Sequence, residues 1–97
     1  MKATIKTCET LSKLGFKDIT EEDERTYSFY KSYRKEGVEY GFAIVEFYKS
    51  NSVLTDELGE INFHSAMKPF QDVAPMVSCF YEFQKDMEAL NATVSED

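Results

Sequence analysis

The sequence predicts a small α+β domain of two layers: an antiparallel sheet of three or more strands with an N-terminal and a C-terminal helix, in the order αβββα. Three observations carry this. Apolar side chains recur at helical spacing near both ends of the chain, and between them the period changes to two. At 97 residues, 42% hydrophobic and 14% aromatic, the chain has the apolar material for one core. It has no linker or repeat to divide that core, so residues 1–97 form a single domain.

The elements follow in order. Ile5, Cys8, Leu11 and Leu14 recur every third residue and Gly15 stands where a helix would stop, which predicts a first helix over 4–14. Asp18 to Glu24 places five carboxylates in seven residues and reads as an acidic, solvated connection. Thr26 to Arg34 and Val38 to Lys49 then alternate and are rich in Tyr, Phe and β-branched residues, predicting a hairpin across Glu36 and Gly37. A two-residue loop sets Arg34 opposite Glu39, Tyr33 opposite Tyr40 and Phe29 opposite Ile44. One face of that hairpin collects Tyr27, Phe29, Tyr33, Val38, Tyr40, Phe42 and Ile44, the expected core. The other carries Ser28, Ser32, Arg34 and Glu39 with Tyr30, Val45 and Phe47.

Beyond a polar loop at Ser50 to Ser52, the weaker segments Val53 to Thr55 and Glu60 to His64 flank a turn at Leu58 and Gly59, with Glu60 to His64 the better strand. Asp72 suits a helix N-cap and Pro75 the first turn. Met76, Phe80, Phe83, Met87 and Leu90 then make a second amphipathic helix, with Glu82, Lys85, Asp86 and Glu88 on its outer positions. Residues 92–97 are expected to fray.

Composition narrows the chemistry. Eighteen acidic against 11 basic residues leave a formal charge of −7, which disfavours anionic lipid and nucleic acid as direct partners. No secretory signal or membrane-length apolar run is present, so a cytoplasmic location is expected, with Cys8 and Cys79 as reduced core thiols. No pair of Cys or His has zinc spacing, and the acidic run lacks the central Gly and closing Glu of a calcium loop. Glycine-rich phosphate loops and nucleophile elbows are likewise missing, so no cofactor or metal is expected. The lone His64 could be drawn with Cys79 and Asp72 as a triad, but triads are defined by geometry rather than by co-occurrence. The expectation is a protein that is not an enzyme. Helix, three strands, helix resembles the order of double-stranded-RNA-binding domains. That family grips phosphate with basic residues at the start of its last helix, whereas Asp72 to Cys79 here contains no Lys or Arg.

Three surfaces remain as candidates. Lys31, Arg34 and Lys35 beside Tyr30 and Tyr33 form a basic, aromatic hairpin tip suited to phosphates or stacked bases, countered by Glu36 and Glu39. Carboxylates gather in Glu21, Glu22, Asp23 and Glu24, in Asp56, Glu57 and Glu60, and in Glu82 and Asp86. Converging, they would mimic nucleic acid and occupy a basic cleft of a nucleic-acid-binding enzyme, as small phage-encoded anti-defence inhibitors do. Last, Tyr30, Val45 and Phe47 make the second hairpin face more apolar than solvent requires, which fits another protein or a homodimer. The leading expectation is a small acidic interaction or regulatory protein that binds, and inhibits, a protein partner through Tyr30, Val45, Phe47 and the acidic side chains.

Overall fold

A computed structural model describes residues 2–22, 25–49, 57–69 and 71–93, with Glu57 described in its backbone alone. Its elements are β1 (Lys2–Thr4), α1 (Ile5–Lys13), β2 (Lys17–Asp18), β3 (Thr26–Lys35), β4 (Val38–Tyr48), β5 (Glu57–Glu60), β6 (Asn62–Met67) and α2 (Ala74–Asn91). They form a four-stranded antiparallel sheet in the order β2-β3-β4-β6 and a two-stranded one, β1-β5. The class is α+β, and α1 follows a strand rather than opening the chain. The weaker segment Val53 to Thr55 and the loop at 50–52 lie outside the described residues.

Helix α1 begins where Thr4 is extended and the Thr7 hydroxyl accepts the Thr4 N–H at 2.9 Å, satisfying a donor that the first turn leaves free. It ends as Gly15 predicts. Gly15 takes a φ of 93°, its N–H reaches the Ser12 carbonyl at 3.1 Å, and the Phe16 N–H reaches Leu11 at 2.9 Å. These two bonds close a Schellman motif, which needs a left-handed residue at that point. Thr7 and Leu11 are buried and Ile5 is exposed, so the inward face is rotated from the expected stripe by the docking of Thr7.

The β3–β4 hairpin turns on Glu36 and Gly37, with φ of 53° and 79°. Positive φ at both central residues matches the right-handed twist of the strands. Arg34 pairs with Glu39 and Lys35 with Val38, as expected, but the register then shifts: Tyr33 faces Gly41 and Phe29 faces Val45. Tyr40 is the extra residue of a β-bulge. One inserted residue inverts the faces of the rest of β4. Phe29 and Tyr33 keep their expected place in the core, while their partners across the bulge are Gly41, Ala43, Val45 and Phe47, all buried.

Val45 and Phe47, expected on a partner-binding face, are therefore 0% exposed at the centre of the core. Phe42 and Ile44, expected inside, turn to the opposite face, and Val38 is exposed beside the turn. Packing favours this choice. Gly41 and Ala43 form a small-residue floor on which larger side chains sit: Met67 lies over Gly41, and Tyr33 meets Phe83 of α2 edge to face at 5.5 Å.

Leu58 and Gly59, expected as a turn, belong to β5, and Gly59 has no positive φ. A glycine stands there because β5 packs on β4: a Cβ would come within 2.7 Å of the Tyr48 Cβ and 2.9 Å of its backbone nitrogen. Helix α2 covers the inner face of the sheet. Its N-cap is Val73, one residue beyond Asp72, and Pro75 lies in the first turn where no N–H is needed. The buried positions are Met76, Cys79, Asp86 and Leu90, with Phe83 partly buried between them. Of the expected fraying tail, Ala92 and Thr93 are held. The Thr93 carbonyl accepts hydrogen bonds from the Thr4 and Thr7 hydroxyls at 3.0 and 3.1 Å, fastening the end of α2 to the start of α1.

Candidate functional site

The basic, aromatic hairpin tip is not assembled. Tyr33 is buried, and Lys31 points from β3 into the seam between the sheet, α2 and the end of α1. The Lys31 ammonium donates to the Leu14 carbonyl at 2.6 Å and to Asp86 Oδ2 at 2.7 Å, and lies 2.8 Å from Glu82 Oε2. Three acceptors match its three N–H donors. It also stands 5.2 Å from the Tyr33 ring centroid and 5.8 Å from that of Phe16. The Tyr33 hydroxyl donates to the same Asp86 oxygen at 2.8 Å. Burial pushes the Tyr33 phenol well above its ordinary value, and the Asp86 hydrogen bond and charge add to it. Burial pulls the Lys31 ammonium down, but Asp86 and Glu82 together outweigh it, leaving the group above its ordinary value.

Asp86 is thus an inward anchor, 4% exposed, rather than an outer carboxylate. Glu82, half exposed, caps the same ammonium from solvent. Both are engaged by Lys31. Of the other expected acidic residues, Asp23, Glu24 and Asp56, with the Glu57 side chain, lie outside the described residues. Glu21, Glu22 and Glu60 are exposed. The acidic connection and β5 reach the same end of the hairpin, away from its turn: Lys49 N–H bonds the Arg25 carbonyl at 2.8 Å, and Gly59 packs on Tyr48. The α2 carboxylates Glu82 and Asp86 face Lys31 instead.

The second sheet face carries different residues from those expected, with Tyr30, Phe42 and Ile44 half-buried on it. Both helices pack on the inner side, and among the described residues no element covers the other. Tyr30 is the one expected interface residue that lies there. It stands opposite Ile44, and its ring stacks on Phe42 with centroids 6.1 Å apart and planes 29° from parallel. Cross-strand aromatic contacts of this kind contribute about 0.5–1.5 kcal/mol beyond their area. Ser28, Ser32, Glu46, His64 and Ala66 share the face by register. Glu39 is fixed at its rim by the Ser32 hydroxyl at 2.6 Å and the Tyr30 hydroxyl at 3.1 Å. Those two hydrogen bonds, Ser32 first, hold its carboxyl below its ordinary value, so it stays ionised. Phe42 and Ile44 escape a sequence reading because both rows of β4 are apolar. The small side chains of Gly41 and Ala43, which suit the floor beneath a helix, were the available signal.

Cys79 is buried under α2 on the inner side, and its thiol is pushed up by burial first and then by Glu82. His64 pairs with Ile44 on the outer side, so the sheet separates the two and the drawn triad with Asp72 is not formed. Cys8 is half-buried and free, its thiol also raised, chiefly by burial. Among the described residues, no group of three or more His, Cys, Asp or Glu is placed to hold a metal, and no helix is long and apolar enough to cross a membrane. Comparison with protein-family profiles, with characterised proteins and with solved structures returned no match to this chain.

Proposed function

We propose that the protein acts by binding rather than by catalysis, as a small cytoplasmic interaction protein whose outer sheet face takes a protein partner and thereby inhibits or regulates it. The observation that carries this is the half-buried Tyr30–Phe42 stack with Ile44 beside it, on the side of the sheet that no described element covers. Aromatic rings flanked by polar groups are the composition of an interface centre rather than of a solvated face. The rim specifies the partner's chemistry. Glu39 is held ionised and oriented, and Glu46 stands farther along the same face, while the chain as a whole carries −7. A complementary surface is apolar at its centre with Lys or Arg around it. Nucleic-acid mimicry has less support, since Glu82 and Asp86 are engaged with Lys31.

Paired native-lysate captures with wild type and Phe42→Asp, both checked for unchanged fold by circular dichroism, test the reading. A protein retained by wild type, lost with Phe42→Asp and weakened by Glu39→Gln is the expected result. A capture profile identical for wild type and Phe42→Asp would remove the face from consideration.

A further inference from the structure

The sheet has two edges, and they differ. At one, β2 is two residues long and both are charged, Lys17 and Asp18. Short, charged edge strands resist pairing with other chains. At the other, β6 runs six residues, Asn62–Met67, with no Lys, Arg, Asp, Glu or Pro, and its register against β4 has no bulge. All of it but Met67 is exposed, and among the described residues no strand pairs with its outer side. It is an uncharged strip on a chain of net charge −7, hence the edge where two copies meet with the least repulsion.

Its hydrogen-bonding parity can be read off. The Lys68 N–H donates to the Tyr40 carbonyl at 2.9 Å, so at that pair the backbone faces β4. Antiparallel ladders alternate, which turns Asn62, His64 and Ala66 toward β4 as well. The free N–H and C=O groups at the edge therefore belong to Phe63, Ser65 and Met67, whose side chains lie on the helix-bearing side. A two-fold axis perpendicular to the sheet requires directly opposed residues to share a face. With the axis at Ser65, Phe63 pairs with the second copy's Met67, Ser65 with its own counterpart, and Met67 with Phe63. Every free group within the strand is then used. Phe63, 39% exposed, gains a thioether neighbour. With the axis at His64, the strand supplies one such pair fewer.

We propose that β6 is a self-association edge: two copies of this chain pair β6 to β6, antiparallel, about a two-fold axis at Ser65, joining two four-stranded sheets into one of eight. The contact is isologous and closes, so it makes dimers and not filaments. It rests on the edge alone and is independent of the outer-face reading.

The test is sedimentation equilibrium of the full chain over a concentration series. Wild type is expected to rise from its 11.2 kDa monomer mass toward twice that value. Ser65→Asp, which sets two carboxylates against each other across the axis, should stay monomeric with an unchanged melting temperature. Ser65→Pro removes an N–H that faces outward and should behave in the same way, whereas His64→Pro removes one bonded to β4 and should lower the melting temperature. Ser65→Cys under mild oxidation should give a covalent dimer that wild type does not form, because opposed Cα atoms about 5.5 Å apart admit a disulfide. A wild type that remains monomeric at millimolar concentration overturns the proposal. So does a dimer that survives Ser65→Asp or fails to cross-link through Ser65→Cys, and one lost only on Phe42→Asp assigns self-association to the outer face instead.

Discussion

Replacing Asp86 with alanine should be among the most damaging single changes in the chain, although a helical-wheel reading places it outside. The substitution withdraws the acceptor shared by the Lys31 ammonium and the Tyr33 hydroxyl, at 2.7 and 2.8 Å, in a site where the Lys31 and Asp86 side chains are 11% and 6% exposed. Breaking a buried ion pair costs about 3–5 kcal/mol, and a stranded hydroxyl about 1–3. Lys31 keeps the Leu14 carbonyl and half-exposed Glu82, which sets the net loss near the lower end, about 3 kcal/mol. Against a total of about 5–15 kcal/mol for a domain of this size, that is a large fraction. Urea unfolding followed by far-ultraviolet circular dichroism should show the midpoint fall by about 2 M, at a slope of roughly 1.5 kcal/mol per M. A loss below about 0.5 kcal/mol, the size of an ordinary surface substitution, would refute the reasoning. The triple variant Lys31→Met, Tyr33→Phe, Asp86→Leu should recover most of the loss, because well-packed apolar replacements of a buried pair are often neutral or stabilising. If the triple variant is no better than Asp86→Ala, the cost lies in packing rather than in the unpaired charge.

The same cluster sets an alkaline limit. Tyr33 and Lys31 both hold their protons to higher pH in the folded chain than in the unfolded one, so their contribution is complete below about pH 10 and is lost as the pH rises above it. Tyr33→Phe should flatten that decline in a urea titration between pH 9 and 11, and an unchanged slope would remove the phenol from the account. The bulge is tested by Gly41→Ala: the new Cβ would meet flexible Met67 Sδ but also the Ala66 backbone oxygen at 2.8 Å, so β6 must shift. A loss of about 1–3 kcal/mol is expected, and a neutral result would refute the close approach of β6 to β4 at Gly41.

Much of this fold was legible where local chemistry decides it. Glu36-Gly37 specified its turn, Gly15 ended α1 and Pro75 marked the first turn of α2, each through backbone constraints that act within a few residues. What escaped was set by contacts between distant segments. β1 is three residues long and exists because β5 pairs with it, so no local period announces it. Gly59 reads as a turn residue but is demanded by its approach to Tyr48. Asp86 stands outside the apolar stripe read from the sequence, yet it occupies an inward position of α2. Its reason for being there is Lys31, 55 residues earlier, itself on a strand face expected to be apolar.

The candidate site failed in the sequence for a sharper reason. Tyr40 adds one residue between Arg34–Glu39 and Tyr33–Gly41, and every side chain of β4 from Phe42 onward changes sides. Alternation can locate such a strand but cannot choose between two rows that are both apolar, and here the rows are Gly41, Ala43, Val45, Phe47 against Tyr40, Phe42, Ile44. Hydrophobicity is nearly degenerate between them, so volume breaks the tie. A helix carrying Phe83, with Tyr33 beneath it, needs small residues on the floor, and Gly41 and Ala43 are small. The larger row is left on the side without a helix, where it exceeds what solubility requires. The outer aromatic face is thus the counterpart of the packed one: the bulge that completes the core also turns Phe42 and Ile44, both half-buried, to the side that carries no helix.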